Sequence, residues 1–430
     1  ARLKQTTGEI SGEWLTGRGW DQNLWKTKEF PDKSMLDVLY PDRPVMLIRV
    51  DGHSVLCNQV ALTRVGIGPG NNFSPGEVEV KNGKLTGILS ENAADRMRNS
   101  VPIPGTQVKQ ALLTEAEKKC FSVGLCLVSD AGLDHGDVVL MDSLQRTGLL
   151  KIQIYAMLNP TAENLSAYIE RGPYETDRLM VRSIKMYADG SLGSHTALMK
   201  RPYTDDHGKR GIEVTPADSI QGICRIAYEH GFQMNIHCIG DSAASLILGI
   251  YSSFLKGKND LRWRIEHAQV IDKKDMHLFG DYSVVPSVQA THATSDMYWA
   301  EERIGPQRIK GAYAYKELLH QNGWLPNGTD FPIENISPIL TFYAAVVRKD
   351  LQGYPEKGFQ TENALTREEA LRSITIWAAK AGFLDKRNGS LEVGKNGDFV
   401  ILDRDLVKTG LAEIPKTKVL QTYIRGEKVY

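Results

Sequence analysis

Short, continuous apolar runs alternate with stretches of helical periodicity from about residue 120 to the region of residue 380. Such runs are typical of parallel strands that are buried on both faces. We predict strands at 124–130, 151–158, 181–190, 233–240, 262–269, 282–292 and 324–332, with an earlier one at 44–53. Repeated strand–helix units predict a parallel sheet, and about eight of them favour an α/β barrel over an open sheet.

The segments between these runs carry helix start and stop signals. Thr114 with Glu117, and Thr366 with Glu369, have the spacing of a capping box. Proline in a first turn and glycine after a last turn mark further helix ends. We predict helices that end near Gly124, at 215–231, at 306–323 and at 366–382.

Two segments depart from this alternation. Residues 66–90 are rich in glycine and contain short alternating pieces, which predict a hairpin insertion within a barrel domain at 1–388. Residues 389–430 alternate apolar and polar positions around Gly-Lys turns. They predict antiparallel strands of a small β domain, which needs partner strands because so few strands make a poor domain alone.

Composition limits the class of partner. The 430 residues carry 52 Lys and Arg against 52 Asp and Glu, so the formal net charge is zero. A nucleic-acid or membrane-surface binder needs a cationic field, so we expect neither partner. No apolar run approaches the length of a membrane span. The five cysteines are odd in number and contain no CxxC pair, which favours reduced thiols and a cytoplasmic location.

Chemistry-bearing residues lie at the ends of the predicted strands. Lys185 lies inside one strand, while His237, His267 and Asp330 end three others. Catalytic groups of a barrel come from the carboxyl ends of different strands, and converging His and carboxylate groups are ligands of the zinc type. A buried lysine is costly unless it is paired or chemically altered. A hydrogen-bonded structural role is the alternative for each residue alone.

Several motifs resemble one enzyme family over nearly the whole chain. They are GEWLTGRGWDQNLW, RVDGHSVLCNQVAL, KMYADGSLGSHTALM, NIHCIGDSA, RIEHAQ, SVQATH, GTDFPIE and the tail GSLEVGKNGDFVILD. Together they resemble the metal-dependent amidohydrolase superfamily, in its YtcJ-like branch. The resemblance is specific to the family and does not specify a substrate.

The resemblance implies a distorted (β/α)₈ barrel with a small β-sandwich built from both chain ends. It implies one or two divalent metals, with zinc as the first choice. By that resemblance Lys185 would be a bridging ligand carbamylated by CO₂, and His237 and His267 would bind the second metal. Asp330 would bind metal and transfer a proton.

One family feature is absent from this sequence. The family carries a His-x-His pair on its first barrel strand, and no two of the ten histidines here are two residues apart. We therefore expect a longer parent protein, or an N-terminal piece supplied separately, that completes the barrel and the N-terminal part of the sandwich. Without it we expect poor activity and association through open strand edges.

Four residues near the start are weaker candidates for substrate binding. Asp51 and His53 follow a strand in VDGHS and are candidates to face a substrate, or to cap the next helix. Trp20 and Asp21 are candidates to line a pocket, with packing at the surface as the equal alternative.

Two further residues complete the predicted site. Asp189 follows Lys185 and is a candidate to orient a ligand. His292 is a candidate to polarise a substrate carbonyl, again with a structural role as the alternative.

These observations predict a metal-dependent hydrolase that cleaves amide or other non-peptide C–N bonds of a small molecule. Activated water would attack, with Asp330 as the proton shuttle. Two alternatives stay open: a deaminase of the same superfamily, and a barrel that binds a small ligand without catalysis. A homo-oligomer is an open expectation.

Overall fold

The computed structural model describes residues 13–430. The chain forms two compact units. The first contains the chain up to Ile103 together with Asp189–Thr215, and the second contains Pro104–Ala188 and Pro216–Tyr430. The first residue of the GEWLTGRGWDQNLW motif, Gly12, lies outside the described residues.

The first unit is built on a five-stranded sheet with the order β1-β2-β3-β5-β4. The strands are β1 (Leu15–Trp20), β2 (Val45–Arg49), β3 (Ser54–Cys57), β4 (Gly76–Lys81) and β5 (Lys84–Glu91). Its helices are Ser34–Leu39, Gln59–Val65 and Asn92–Arg98. Buried Met46, Val55 and Leu89 from three of the strands pack with helix residues in one apolar core.

The glycine-rich segment contains the antiparallel hairpin of β4 and β5. Asn82 and Gly83 form its turn with φ values of 51° and 74°. Two left-handed residues give a turn whose twist matches that of the flanking strands, which is why Asn-Gly is favoured there.

The strand predicted at 44–53 forms, but its assignment to the parallel barrel sheet was wrong. β2 pairs in parallel with β1 and antiparallel with β3, inside the mixed sheet of the first unit. A strand covered on both faces reads as a continuous apolar run in either kind of sheet. The local pattern therefore indicates burial without indicating the partner.

The second unit is built on a curled parallel sheet that forms half of a barrel. Its strands are β6 (Leu127–Leu133), β7 (Gln153–Leu158), β9 (Leu179–Tyr187), β10 (Gln233–Cys238), β11 (Arg264–His267) and β12 (Val285–Ser287), with the short β8 (Tyr174–Glu175) antiparallel beside β9. The order is β12-β11-β10-β9-β7-β6. The prediction that the runs at 181–190, 233–240 and 262–269 are adjacent parallel strands is confirmed.

The run predicted as a strand at 324–332 is not one. It makes a single parallel bridge between Asn327 and Val288, with Val288 donating to the Pro326 carbonyl at 3.0 Å. Pro326 has no N–H to donate to a ladder, so regular pairing stops at one bridge. The end of the run predicted at 282–292 was also wrong, because helix Ala290–Asp296 begins there.

Helices separate the strands of the second unit. They are Thr106–Ser122, His135–Arg146, Ala162–Asn164 continued by the π-helical Leu165–Ile169, Ala217–Glu229, Asp241–Leu255, His277–Asp281, Ala290–Asp296, Ala300–Arg308, Tyr315–Asn322, Pro338–Val347, Arg367–Ser373 and Ile376–Ala381.

One predicted capping box is confirmed and the other was wrong. Thr366 Oγ1 accepts from Glu369 N–H at 3.2 Å, and the Glu369 carboxylate accepts from Thr366 N–H at 2.8 Å. Thr114 instead lies inside a helix, where its hydroxyl donates to the Gln110 carbonyl at 3.0 Å. Threonine can bond back to a carbonyl four residues earlier, so the spacing alone does not mark a helix start.

The C-terminal segment forms a three-stranded antiparallel sheet of β13 (Phe399–Leu402), β14 (Val419–Ile424) and β15 (Glu427–Lys428). All five cysteines are free thiols, as expected, and Cys57, Cys224 and Cys238 are buried. Within residues 13–430, the structure contains no helix that combines the length and the apolar character needed to cross a bilayer.

Candidate functional site

The register of three parallel strands collects polar side chains on one face of the sheet in the second unit. On β10, Asn235 is paired with Lys185 of β9 and with Arg264 of β11. Two residues further along β10, His237 is paired with Tyr187 and Glu266. Side chains alternate along a strand, so these two rows lie on the same face, one above the other.

His237 and His267 converge at the carboxyl ends of β10 and β11. Their ring centroids are 4.5 Å apart and the rings are inclined at 71°. His267 is paired with Cys238, so a regular strand would direct its ring to the opposite face from His237. Instead His267 has a φ of 74°, and this left-handed residue ends the strand and turns the ring toward His237. Such a backbone costs about 1–2 kcal/mol and is typical of functional sites.

The His267 ring is held by a hydrogen bond to Gln289. Nδ1 of His267 lies 2.8 Å from Gln289 Oε1. An amide oxygen only accepts, so Nδ1 of His267 is the donor in this hydrogen bond. A second hydrogen bond of this kind is what orients an imidazole that binds a metal.

Lys185 is buried without a carboxylate partner. The residue is 4% exposed, and its Nζ lies 3.6 Å from the centre of the Tyr187 ring and 3.4 Å from the Met186 carbonyl oxygen. Within residues 13–430, Lys185 forms no salt bridge. A buried ammonium with so little compensation is costly, which fits a lysine that is chemically altered in the working protein.

His292 and Asp330 extend the cluster. The His292 ring stacks on that of His267, with centroids 5.8 Å apart and the planes 24° from parallel. Its Nε2 lies 3.8 Å from Asp330 Oδ2 and makes no hydrogen bond to the described part of the chain. Burial lowers the pKa of His292 to about 4 although Asp330 opposes the change, so the ring is neutral near pH 7. Asp330, like His267, has a left-handed φ, here 51°.

Glu334 is a nearby carboxyl that sequence reasoning missed. Burial, together with repulsion from Asp330, raises its pKa to about 7, although the Ser295 hydroxyl donates to it at 2.6 Å. Its sequence signal was its place as the last residue of the GTDFPIE motif, four residues after Asp330, and no role was assigned to it there.

The donor atoms allow a direct test of whether these residues suit a metal. In the described range 13–430, no three His, Cys, Asp or Glu side chains lie together as a ready ligand group. The two imidazoles alone do fit, since rings that bind one ion at about 2.0–2.1 Å have centroids roughly 5 Å apart. A third donor, an anionic oxygen, would come from Lys185 once it is carbamylated. The residues therefore fit a metal if Lys185 is modified, and the ligand assignment stays a prediction.

The candidates from the start of the chain lie in the first unit, where they surround an arginine. Arg49 is 1% exposed, and its guanidinium donates to Asp21 and to Asp51 at 2.6 Å each and to Gln22 at 2.8 Å. We name Arg49, Asp21, Gln22 and Asp51 the arginine cluster. Every guanidinium nitrogen has an oxygen partner, which is the arrangement of a structural buried ion pair.

Asp51 is further tied to the segment around residue 190. It accepts hydrogen bonds from the hydroxyls of Ser191 and Ser194, the latter at 2.6 Å. Burial favours its neutral form, but Arg49, His53 and the two hydroxyls together lower the pKa of Asp51 below its usual range.

The remaining candidates of the first unit have protein partners as well. His53 Nδ1 lies 3.1 Å from the Glu91 carboxylate. Trp20 Nε1 donates to the Leu47 carbonyl at 2.9 Å, and buried Asp189 accepts from Leu198 N–H at 2.9 Å. A substrate role for Trp20, Asp21, Asp51, His53 and Asp189 stays a prediction.

Comparison with known proteins places this geometry in a family. A sequence profile of the amidohydrolase family matches residues 1–430. The chain belongs to the amidohydrolase family. It is also 31% identical over 427 residues to the protein YtcJ of Bacillus subtilis (strain 168), covering 97% of this chain and 80% of that protein.

Two further relatives concern activity. The N-substituted formamide deformylase of Arthrobacter pascens is 24% identical over 434 residues, covering 96% of this chain and 78% of that enzyme. A solved structure of a metal-dependent hydrolase from Pyrococcus horikoshii is similar with a TM-score of 0.76 and 28% identity, covering 95% of this chain and 80% of that one. The family and these neighbours support a hydrolase of the amidohydrolase superfamily that depends on a divalent metal.

Proposed function

We propose that this protein hydrolyses an amide or related non-peptide C–N bond of a small molecule. The convergence of His237 and His267 beside Lys185, on three adjacent strands of a parallel sheet, carries this proposal. Such convergence at the carboxyl ends of strands is where barrel enzymes bind their substrates. We extend the half-barrel accordingly to a complete (β/α)₈ barrel with a small β-sandwich.

Lys185, His237 and His267 would hold the metal, with Asp330 close by. Zinc suits two imidazole nitrogens and one anionic oxygen. A bound zinc ion supplies Lewis acidity, which lowers the pKa of water to about 7 and polarises a carbonyl.

The protein's own groups would handle the protons. Asp330 accepts a proton from the attacking water and delivers it to the leaving nitrogen. Neutral His292, 3.8 Å from Asp330, donates an N–H to the substrate carbonyl oxygen as negative charge develops there. The name of the deformylase relative makes N-substituted formamides the first substrates to test.

The test is a substrate panel with metal-free and zinc-reconstituted protein. The panel contains an N-substituted formamide, an N-acetylated amine and a cyclic amidine. We expect zinc-dependent release of carboxylate and amine from one of the first two.

Two other results would identify a different function. Ammonia released from the amidine alone would identify a deaminase instead. Saturable binding of a panel compound without turnover, and without bound metal, would identify a ligand-binding barrel. Either result overturns the proposal.

A further inference from the structure

Two buried amides on β10 have opposite environments. Gln233 uses both ends of its side chain: Oε1 accepts from the Tyr155 hydroxyl at 2.8 Å, and Nε2 donates to the Ala381 carbonyl at 2.9 Å. Asn235 is fully buried, yet neither Oδ1 nor Nδ2 has a hydrogen-bond partner within residues 13–430. A buried amide with both ends unsatisfied is rare in native proteins and calls for an explanation.

The neighbours of Asn235 across the sheet narrow that explanation. On one side is Arg264, whose Nε forms an ion pair with Glu266 Oε1 at 2.7 Å without hydrogen-bond geometry and whose Nη2 lies 3.3 Å from Met157 Sδ. A guanidinium offers only donors, so it cannot satisfy both ends of the amide. On the other side is Lys185, whose Cα is the direct register partner of Asn235 on the adjacent strand, about 4.7–4.9 Å away across the sheet. Of these two neighbours, only Lys185 can gain an acceptor as well as a donor, through a modification of its amine.

The missing partner must offer both an acceptor and a donor, because the amide carries both. An unmodified ammonium offers only donors. A carbamate on the same nitrogen offers an N–H and two carboxylate oxygens, and so complements an amide with two parallel hydrogen bonds. In donors and acceptors, this pairing complements both ends of the Asn235 side chain.

We propose that Asn235 is a positioning residue for a carbamate on Lys185. Its Nδ2 donates to one carbamate oxygen and its Oδ1 accepts from the carbamate N–H, which fixes the group for its role as a ligand. The inference rests on the proposed function, since it assumes that Lys185 is carbamylated.

The modification itself needs only carbon dioxide. Deprotonated Lys185 Nζ attacks the carbon of CO₂, a new N–C bond forms, and one C=O electron pair moves onto oxygen. Nitrogen then releases one proton to water, which leaves R–NH–COO⁻. No oxidation or reduction takes place.

The test counts carbamate directly. Zinc-loaded protein is equilibrated with ¹³C-labelled bicarbonate, and the labelled carbamate carbon is measured by NMR as bicarbonate is varied. Asn235→Leu keeps the side-chain size and removes both hydrogen bonds. We expect half-occupancy to need at least about tenfold more bicarbonate, the effect of one hydrogen bond to a charged group. Asn235→Asp replaces the donor with a negative charge, and we expect a larger loss.

Controls separate this effect from general damage. Ser183→Ala changes a buried residue on the same face of β9, two residues before Lys185, and should leave carbamate occupancy unchanged. Asn235→Ala is a second variant in case Asn235→Leu does not fold, and should give the same loss.

The outcomes distinguish this inference from the proposed function. No labelled carbamate in the unaltered protein would remove the carbamate from the proposed function, and this inference with it. A full carbamate signal that is unchanged in all Asn235 variants would overturn only this inference and leave the proposed function standing.

Discussion

The two units each bury a group of charged or polar side chains, and the two groups are built differently. In the arginine cluster of the first unit, Arg49 meets two carboxylates and an amide oxygen within 2.8 Å. In the second unit, Lys185 has no carboxylate partner among the described residues, and His292 Nε2 has no hydrogen bond there.

This difference separates a structural role from a chemical one. A buried charge that is fully paired has no capacity for a ligand. Removing one partner leaves the other as an uncompensated buried charge, which destabilises the fold. Buried groups that lack such partners among the described residues, Lys185 and His292 Nε2, have capacity for a ligand. The left-handed backbone of His267 and Asp330 beside them is typical of functional sites. The comparison predicts that changes in the first unit act on stability and changes in the second act on activity.

The largest expected effect is on catalysis. His237→Ala should lower kcat/KM by more than about 100-fold, because changing even the outer partners of a ligand costs about 10–100-fold in affinity or activity. The midpoint of thermal unfolding should stay nearly unchanged in the metal-free protein. His230→Ala, an exposed histidine at the end of helix Ala217–Glu229, is the matched control and should be neutral. Equal activity of both variants would remove His237 from the site.

The next effect is on stability. Arg49→Met leaves two carboxylates, each 14% exposed, without their buried cation and should lower the free energy of unfolding by about 3 kcal/mol, measured by urea denaturation. Arg64→Met is the control in the same unit, since the Arg64–Glu13 pair is exposed and should be worth at most about 1 kcal/mol.

A change at Asp51 tests whether the arginine cluster is structural or binds substrate. Asp51→Asn should destabilise the protein if Asp51 serves only Arg49. A raised KM with unchanged stability would instead support the substrate role predicted from the sequence.

The sequence predicted the second unit better than the first for a physical reason. The strands β9, β10 and β11 were located because parallel strands are apolar on both faces, and their order follows the chain. The partner of Val45–Arg49 is set by non-local pairing with Leu15–Trp20, which no local pattern encodes. The second unit has an exception: the run at 324–332 was predicted as a strand, but its pairing stops at Pro326 after one bridge.

The candidate site shows the same limit. The position of His237 at a strand end was readable from the sequence, and so was the cost of burying Lys185. The orientation of the His267 ring follows from a φ of 74°, which the sequence does not encode locally. The lack of hydrogen-bond partners for the Asn235 amide is visible only once its neighbours across the sheet are known. The bonds from Arg49 to Asp21 and Asp51 join residues up to 28 positions apart, so the sequence offered these carboxylates as substrate candidates without their partner.

The smallest effect in this series is a pH dependence of stability in the first unit. Burial alone would lower the pKa of His53, but Glu91 and Asp51 together raise it to about 9, against repulsion from Arg98. In the unfolded chain the value returns to 6.5, so the folded state binds the proton more tightly. Stability from this proton is complete below pH 6.5 and is lost as pH rises through 9. We expect His53→Gln to lower the free energy of unfolding by at most about 3 kcal/mol at pH 6, with the deficit shrinking by pH 10. His207→Gln, an exposed histidine of the same unit, should show no such trend. A deficit for His53→Gln that stays constant from pH 6 to 10 would mean that packing of the ring, and not its charge beside Glu91, stabilises this unit.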